Sequence, residues 1–139
     1  MKKVITILFF SLLIIGFTGC KKDKTLEELL VGKWRINTFI LIAYENGVKV
    51  NELTLIYISN EEEIELLSDG TGKHYSDGVI DEVFTWSLSG NRLTVTSGID
   101  VMEMEIAADE DTMTYKMSET YVDGLITYKR EMIYTGSRI

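Results

Sequence analysis

Apolar and polar residues alternate along most of this chain with a period of two. The longest example runs from Trp34 to Tyr44, where one face is apolar throughout and the other is apolar in its middle. Because successive side chains of a strand point to opposite faces, such segments predict half-buried β-strands. The pattern recurs in segments 53–58, 63–66, 84–88, 92–95, 102–106, 113–117 and 126–134.

Short turn motifs separate these segments. They are rich in residues that tolerate positive φ or bond their own backbone, as tight hairpins require. A spacing of about 8 to 12 residues predicts an antiparallel meander, either a sandwich or a barrel. The chain contains no proline to protect sheet edges, and closure of the sheet protects them too, so a barrel is favoured. The motifs are Asn46-Gly47, Asp69-Gly70-Thr71-Gly72, Asp77-Gly78, Gly90-Asn91, Asp109-Glu110-Asp111 and Asp123-Gly124.

One short helix is predicted immediately before the first long strand. Thr25 and Glu28 have the three-residue spacing of a capping box, and Gly32 would end the helix. Three leucines in this segment favour a helix that plugs one end of the barrel, and the alternative is a helical spacer.

The first twenty residues have the three parts of an export signal: Lys2 and Lys3, an apolar run over 4–17, and small residues before Cys20. The run is shorter than the roughly 20 residues that span a bilayer. Phe17-Thr18-Gly19-Cys20 resembles the lipobox of bacterial lipoproteins, where the segment is cleaved and the cysteine carries acyl chains such as palmitate. An ordinary secretory signal is the alternative. The predicted organisation is therefore a cleaved signal peptide over 1–19, a lipidated tether over 20–25 and one domain over 26–139.

Charge sets limits on the partners. The chain has 14 basic and 22 acidic side chains, and removal of the signal peptide with Lys2 and Lys3 leaves 12 basic ones. A nucleic-acid surface needs clustered Lys and Arg, and no basic stripe is present, so no nucleic-acid partner is expected. Residues 21–24 of the tether do not resemble the inner-membrane retention signal of bacterial lipoproteins, because no aspartate directly follows Cys20, and this favours the outer membrane of a bacterial cell envelope. They also lack the acidic pair that resembles a surface-export signal, which favours the face toward the periplasm.

Catalytic and metal-binding motifs are absent from the sequence. His74 is the only histidine and Cys20 the only cysteine, so no nucleophile–base triad is expected, and His74 is interpreted as an exposed turn residue. The acidic runs 61–63 and 109–111 lack the alternating spacing of a calcium loop. We therefore expect no enzyme activity, no cofactor and no metal.

A family resemblance rests on Gly32-Lys33-Trp34 and on the hairpins that include 67–72, 84–88 and 90–95. These segments resemble lipocalins and their calycin relatives, especially bacterial lipocalin-like lipoproteins of the Bacteroidetes type. The resemblance implies an all-β fold, an antiparallel up-and-down meander of eight or nine strands closed into a barrel. It also implies that Trp34 lies across the closed end of the barrel, with Arg130 over its indole.

Such a barrel leaves an interior that is filled by side chains or takes one small ligand. Four methionines on two neighbouring strands suit an adaptable apolar wall, and core filling is the alternative. The expected function is to bind or carry a small hydrophobic molecule near the membrane. The second hypothesis is a filled barrel that contacts an envelope protein. The candidate barrel-lining residues are Trp86, Met102, Met104, Met113, Tyr115, Met117 and Tyr128.

Overall fold

A computed structural model describes residues 23–57 and 61–139, and within them one short helix and nine strands. Cys20 and the predicted signal peptide lie outside these residues. The helix is α1 (Leu26–Leu30), and the strands are β1 (Gly32–Glu45), β2 (Val48–Ile56), β3 (Glu62–Leu66), β4 (Thr71–Ser76), β5 (Val79–Ser89), β6 (Arg92–Ser97), β7 (Asp100–Ala108), β8 (Thr112–Asp123) and β9 (Ile126–Arg138).

The strands form one antiparallel meander that closes on itself. From β3 to β9 each strand pairs with its sequence neighbour, and β1 pairs with both β3 and β9. The ring therefore contains eight strands, and β2 pairs with β1 outside it. The predicted all-β barrel with one short N-terminal helix is confirmed, and its architecture is compatible with a lipocalin-like fold.

A β-bulge in β1 changes which side chains face the interior. Trp34 and Ile36 are buried, but the register with β9 shifts by one residue between Ile36 and Thr38. Beyond the shift the ring of Phe39 lies 4.7 Å from that of Tyr134, an interior residue. The sequence pattern assigned one continuous face from Trp34 to Tyr44, and this was wrong because the bulge exchanges the two faces.

Helix α1 covers one end of the barrel, which we call the closed end. The predicted capping box is present: the Glu28 backbone N–H donates to Thr25 Oγ1 (3.2 Å), and the Thr25 N–H donates to Glu28 Oε2 (2.8 Å). Leu30 is completely buried, and its carbonyl accepts a hydrogen bond from the Trp34 indole at 2.8 Å. Burial of Leu30 supports the plug interpretation of the helix.

Arg138, near the end of β9, fixes the closed end. Its guanidinium carbon lies 4.2 Å from the centre of the Trp34 ring. Its three nitrogens donate to the carbonyls of Val31 (3.0 Å), Glu110 (2.6 Å) and Leu29. The structure thus places Arg138 over Trp34, whereas Arg130 lies 5.8 Å from the ring of Tyr121, on the far part of β9. The expectation for Arg130 was wrong because Arg130 and Arg138 lie on the same, inward face of β9. The alternation of side chains identifies that face, but it does not show which arginine lies at the level of Trp34.

Gly32 is needed where Arg138 crosses the chain. Its φ is +138°, and a Cβ at this position would lie 2.5 Å from Arg138 Nη1. The glycine and the tryptophan of the Gly-x-Trp motif are therefore both explained by the position of one guanidinium.

At the opposite end, which we call the open end, the barrel divides into two sheets. Strands β7 and β8 pair only from Glu105 to Ala108 on β7. Beyond that point β7 pairs only with β6, and β8 pairs only with β9. Strand β2 extends the β8-β9-β1 sheet and is exposed along its whole length. Access to the interior is therefore at the open end.

We expect the Arg138→Met variant to unfold more easily by about 2–4 kcal/mol, because three carbonyls lose their donor and the cation–π contact is lost. Urea unfolding followed by tryptophan fluorescence measures this. Arg130→Met is the matched control and should change the free energy of unfolding by less than about 0.5 kcal/mol. Equal effects of the two variants would contradict the assignment of Arg138.

A second prediction concerns the four-residue pairing of β1 with β3, which helps to close the barrel. Glu63 is buried there, with Lys33 Nζ at 2.5 Å and Arg35 Nη2 at 3.4 Å from its carboxylate. Its hydrogen bond to Lys33, above all, lowers the pKa of Glu63 below the ordinary 4.5. A carboxylate whose pKa is lower in the folded state stabilises the protein at pH values above its ordinary, unfolded-state pKa. This contribution disappears as the pH falls through the folded-state pKa.

Glu63→Gln should therefore lose about 1–2 kcal/mol at neutral pH and lose less further stability than the wild type below pH 4.5. Urea unfolding at several pH values provides the comparison. Glu105→Gln, at an exposed position on β7, is the control and should follow the wild-type pH profile. If the free energies of unfolding of the wild type and Glu63→Gln fall in parallel below pH 4.5, the explanation is contradicted.

Candidate ligand-binding site

The barrel encloses a cavity of about 360 Å³ above its packed core. Leu30, Trp34 and Leu66, which are among the most deeply buried residues, belong to the closed end. The cavity reaches solvent where Met102 and Glu82 are exposed. It is lined by Ile36, Tyr57, Glu62, Ile64, Leu66, His74, Glu82, Phe84, Leu93, Val95, Met102, Met104, Ile106, Met113, Tyr115, Met117 and Tyr134.

One wall of the cavity consists of methionines on β7 and β8. Met113 and Met104 are buried at its base, with 2% and 8% of their surfaces exposed. Met117 is half-buried and Met102 is 42% exposed, so both border the open volume. Methionine is flexible and polarisable, which lets such a wall adapt to different apolar shapes. The lower pair packs the core, and the upper pair is available to a ligand.

Tyrosines support this wall from β8 and β9. The rings of Tyr115 and Tyr134 are stacked, with centroids 4.6 Å apart. Burial, above all, raises the pKa of Tyr115 far above its ordinary value, and burial also raises that of Tyr134. Both side chains are therefore neutral phenols at physiological pH.

Two of the candidate lining residues lie outside the cavity. Trp86 is buried, but its indole N–H donates to the carbonyls of Leu67 (3.1 Å) and Thr71 (3.0 Å), in a closed-end hairpin. Tyr128 stacks on Tyr121 at 5.0 Å in the β8–β9 hairpin, beyond the cavity. Met102, Met104, Met113, Tyr115 and Met117 all line the cavity. Alternation identified the inward face of each strand but not the level at which the cavity lies.

The opposite wall carries polar groups that the sequence pattern did not reveal. His74 lies within β4 and lines the cavity, so its interpretation as an exposed turn residue was wrong. Its Nε2 lies 2.5 Å from Glu62 Oε2, and its Nδ1 lies 2.6 Å from Asp81 Oδ1. Both ring nitrogens of His74 therefore face carboxylate oxygens, and the tautomer decides which of them donates.

Glu82 is the second carboxylate on this wall. It is paired across the strands with His74 in the β4–β5 register. Its carboxylate makes no hydrogen bond or salt bridge with any residue that the structure describes. The cavity lining contains no lysine or arginine among the described residues. The site is therefore amphipathic, with methionines on one side and uncompensated negative charge on the other.

The remaining acidic runs have structural partners. Glu63 points away from the cavity to Lys33 and Arg35. Asp109 accepts hydrogen bonds from the backbone of Asp111 and Thr112, which lower its pKa and fix the β7–β8 turn. Within 23–57 and 61–139 no group of three or more His, Cys, Asp or Glu side chains is placed to hold a metal ion.

Comparison with known proteins finds no matching family model, no matching curated sequence and no matching solved structure. In the described part of the chain no helix has the length and apolar character to span a bilayer. The geometry of the cavity is therefore the basis for assigning a function.

Proposed function

We propose that the chain is a lipid-anchored envelope protein of the lipocalin-like type whose barrel binds a small, largely apolar molecule. The observation that carries the binding function is the cavity of about 360 Å³ with its methionine wall. The envelope location, an outer membrane facing the periplasm, and the lipid on Cys20 are supported by the sequence of the first 24 residues alone. The lipocalin-like relationship is supported by the Gly32-Lys33-Trp34 motif and the barrel.

The size and lining of the cavity support ligand binding over simple core filling. Small-molecule sites have volumes of roughly 300–1,000 Å³ and mostly apolar walls with a few polar groups. The closed end already has a tightly packed core around Trp34 and Leu30. Met102 and Met117 contribute side-chain surface to open space above that core. The proposal assigns this surface to a ligand.

Reduction of the cavity volume should weaken binding. We expect Met117→Trp, which places an indole in the cavity, to reduce binding of an uncharged solvatochromic dye by about tenfold or more. Ser118→Trp is the matched control, because the next residue on β8 is exposed and points to the other face. Fluorescence titration with the dye gives both affinities, and urea unfolding shows that each variant is folded.

Equal dye affinity in the two variants would show that the dye binds elsewhere. Native mass spectrometry of the delipidated protein from its host provides a second readout. An empty protein that also fails to bind the dye would contradict the carrier function.

A second candidate function is an envelope interaction module, which the hairpin tips at the open end favour. Ile99 and Leu125 are 97% and 99% exposed, and Val48 and Val79 are about two-thirds exposed. All four lie at the same end because alternate hairpins of an antiparallel meander return to one side. Single exposed apolar residues are common on protein surfaces, but a group at one end indicates an apolar contact.

If these tips contact a partner, the double variant Ile99→Asp with Leu125→Asp should lose in-cell photo-crosslinks to it. The matched control adds two acids at the closed end, Ser68→Asp with Ser89→Asp, both at exposed positions, and should retain them. Dye binding in the cavity should survive in both proteins. A crosslinking pattern unchanged by the tip substitutions, or no reproducible crosslink at all, would remove this candidate.

A further inference from the structure

One wall of the cavity carries two glutamates and a histidine, and the facing wall carries methionines. Glu62, His74 and Glu82 lie on β3, β4 and β5, whereas the methionines lie on β7 and β8. A ligand that fills the cavity therefore touches apolar atoms on one side and acidic groups on the other. From this we propose, building on the binding function above, that the ligand is a cationic amphiphile, an apolar body with an amine or quaternary ammonium group.

Charge at the cavity remains negative whichever form His74 takes. With His74 protonated, Glu62 and Asp81 share its positive charge through hydrogen bonds of 2.5 and 2.6 Å. The carboxylate of Glu82 has no partner among the described residues. Glu62 and Glu82 line the cavity and Asp81 lies behind His74, so three carboxylates against one imidazolium leave a net of two negative charges in and next to this wall. In a site partly closed to water, such charges attract a cation more strongly than they do at an open surface.

Neighbouring basic residues do not neutralise this charge. Lys73 on β4 points away from the barrel interior, 3.8 Å from Glu65. Lys33 is held by Glu63 on the outside of β3. Among the described residues the cavity lining includes no basic side chain other than His74. A ligand cation would supply the missing positive charge.

Aromatic rings near Glu62 favour the same ligand class. Tyr57 and Tyr134 line the cavity. Burial, together with the negative charge of Glu62, raises the pKa of both phenols. The faces of aromatic rings carry partial negative charge and attract ammonium groups. An anionic head group, such as a fatty acid carboxylate, would instead face two glutamates, with His74 already between two carboxylates and no lysine or arginine among the described lining residues, which opposes its binding.

Three ligands with the same ten-carbon chain separate the head-group effect from the apolar one. Decylamine, decanol and decanoate compete with the uncharged dye at neutral pH, below the critical micelle concentrations. We expect decylamine to displace the dye at a concentration about tenfold lower than decanol. Decanoate should be weaker than decanol.

Glu82→Gln tests the site directly, because the Glu82 carboxylate has no hydrogen bond or salt bridge to lose among the residues that the structure describes. In this variant the preference for decylamine over decanol should fall from about tenfold to threefold or less, whatever its affinity for decanol alone. Glu105→Gln makes the same change in net charge at an exposed position on β7 and should keep the full preference.

The outcomes separate this inference from the proposed function. Equal displacement by amine and alcohol, stronger displacement by decanoate, or a preference that Glu82→Gln leaves intact would overturn the cationic ligand and leave an apolar binder. A wild-type protein that binds neither the dye nor any of the three ligands would overturn the binding function itself.

Discussion

The guanidinium of Arg138 is the contact on which the barrel depends. It packs on Trp34 and donates to carbonyls of the helix end and of the β7–β8 turn. These groups come from the beginning of the domain, from the β7–β8 turn and from the last strand. A single side chain therefore joins the first strand to the last, where β1 and β9 close the ring. An apolar residue in place of this cation would leave the three carbonyls without their donor.

The site follows from the difference between the two ends. At the closed end the helix, Trp34 and the lower methionines exclude solvent. At the open end β7 separates from β8, and β2 lies outside the ring, so the walls do not meet. The cavity lies between the packed core of the closed end and the incomplete strand pairing of the open end. Its polar face comes from strands β3, β4 and β5, and its methionine face comes from strands β7 and β8.

The sequence predicted those features that depend on local chemistry. Strand alternation, turn residues and the capping box at Thr25 and Glu28 all concern neighbours in the chain, and the structure agrees with them. Strand β4 was missed because Thr71–Ser76 has no apolar alternation, and His74 was therefore interpreted as a turn residue. Its inward position depends on pairing with β3 and β5. The choice of Arg130 over Arg138 and the bulge after Ile36 were errors of register, which alternation along one strand does not determine.

The position of α1 at the closed end has a consequence for orientation. Strand β1 has 14 residues, so at about 3.3 Å per residue and the usual tilt the barrel is about 35 Å high. The six residues 20–25 reach at most about 20 Å when fully extended. If Cys20 carries the proposed lipid, the closed end of the barrel faces the membrane and the open end points away from it. Ligand exchange would then take place with molecules arriving from the aqueous side, and the anchor would set the direction from which they come.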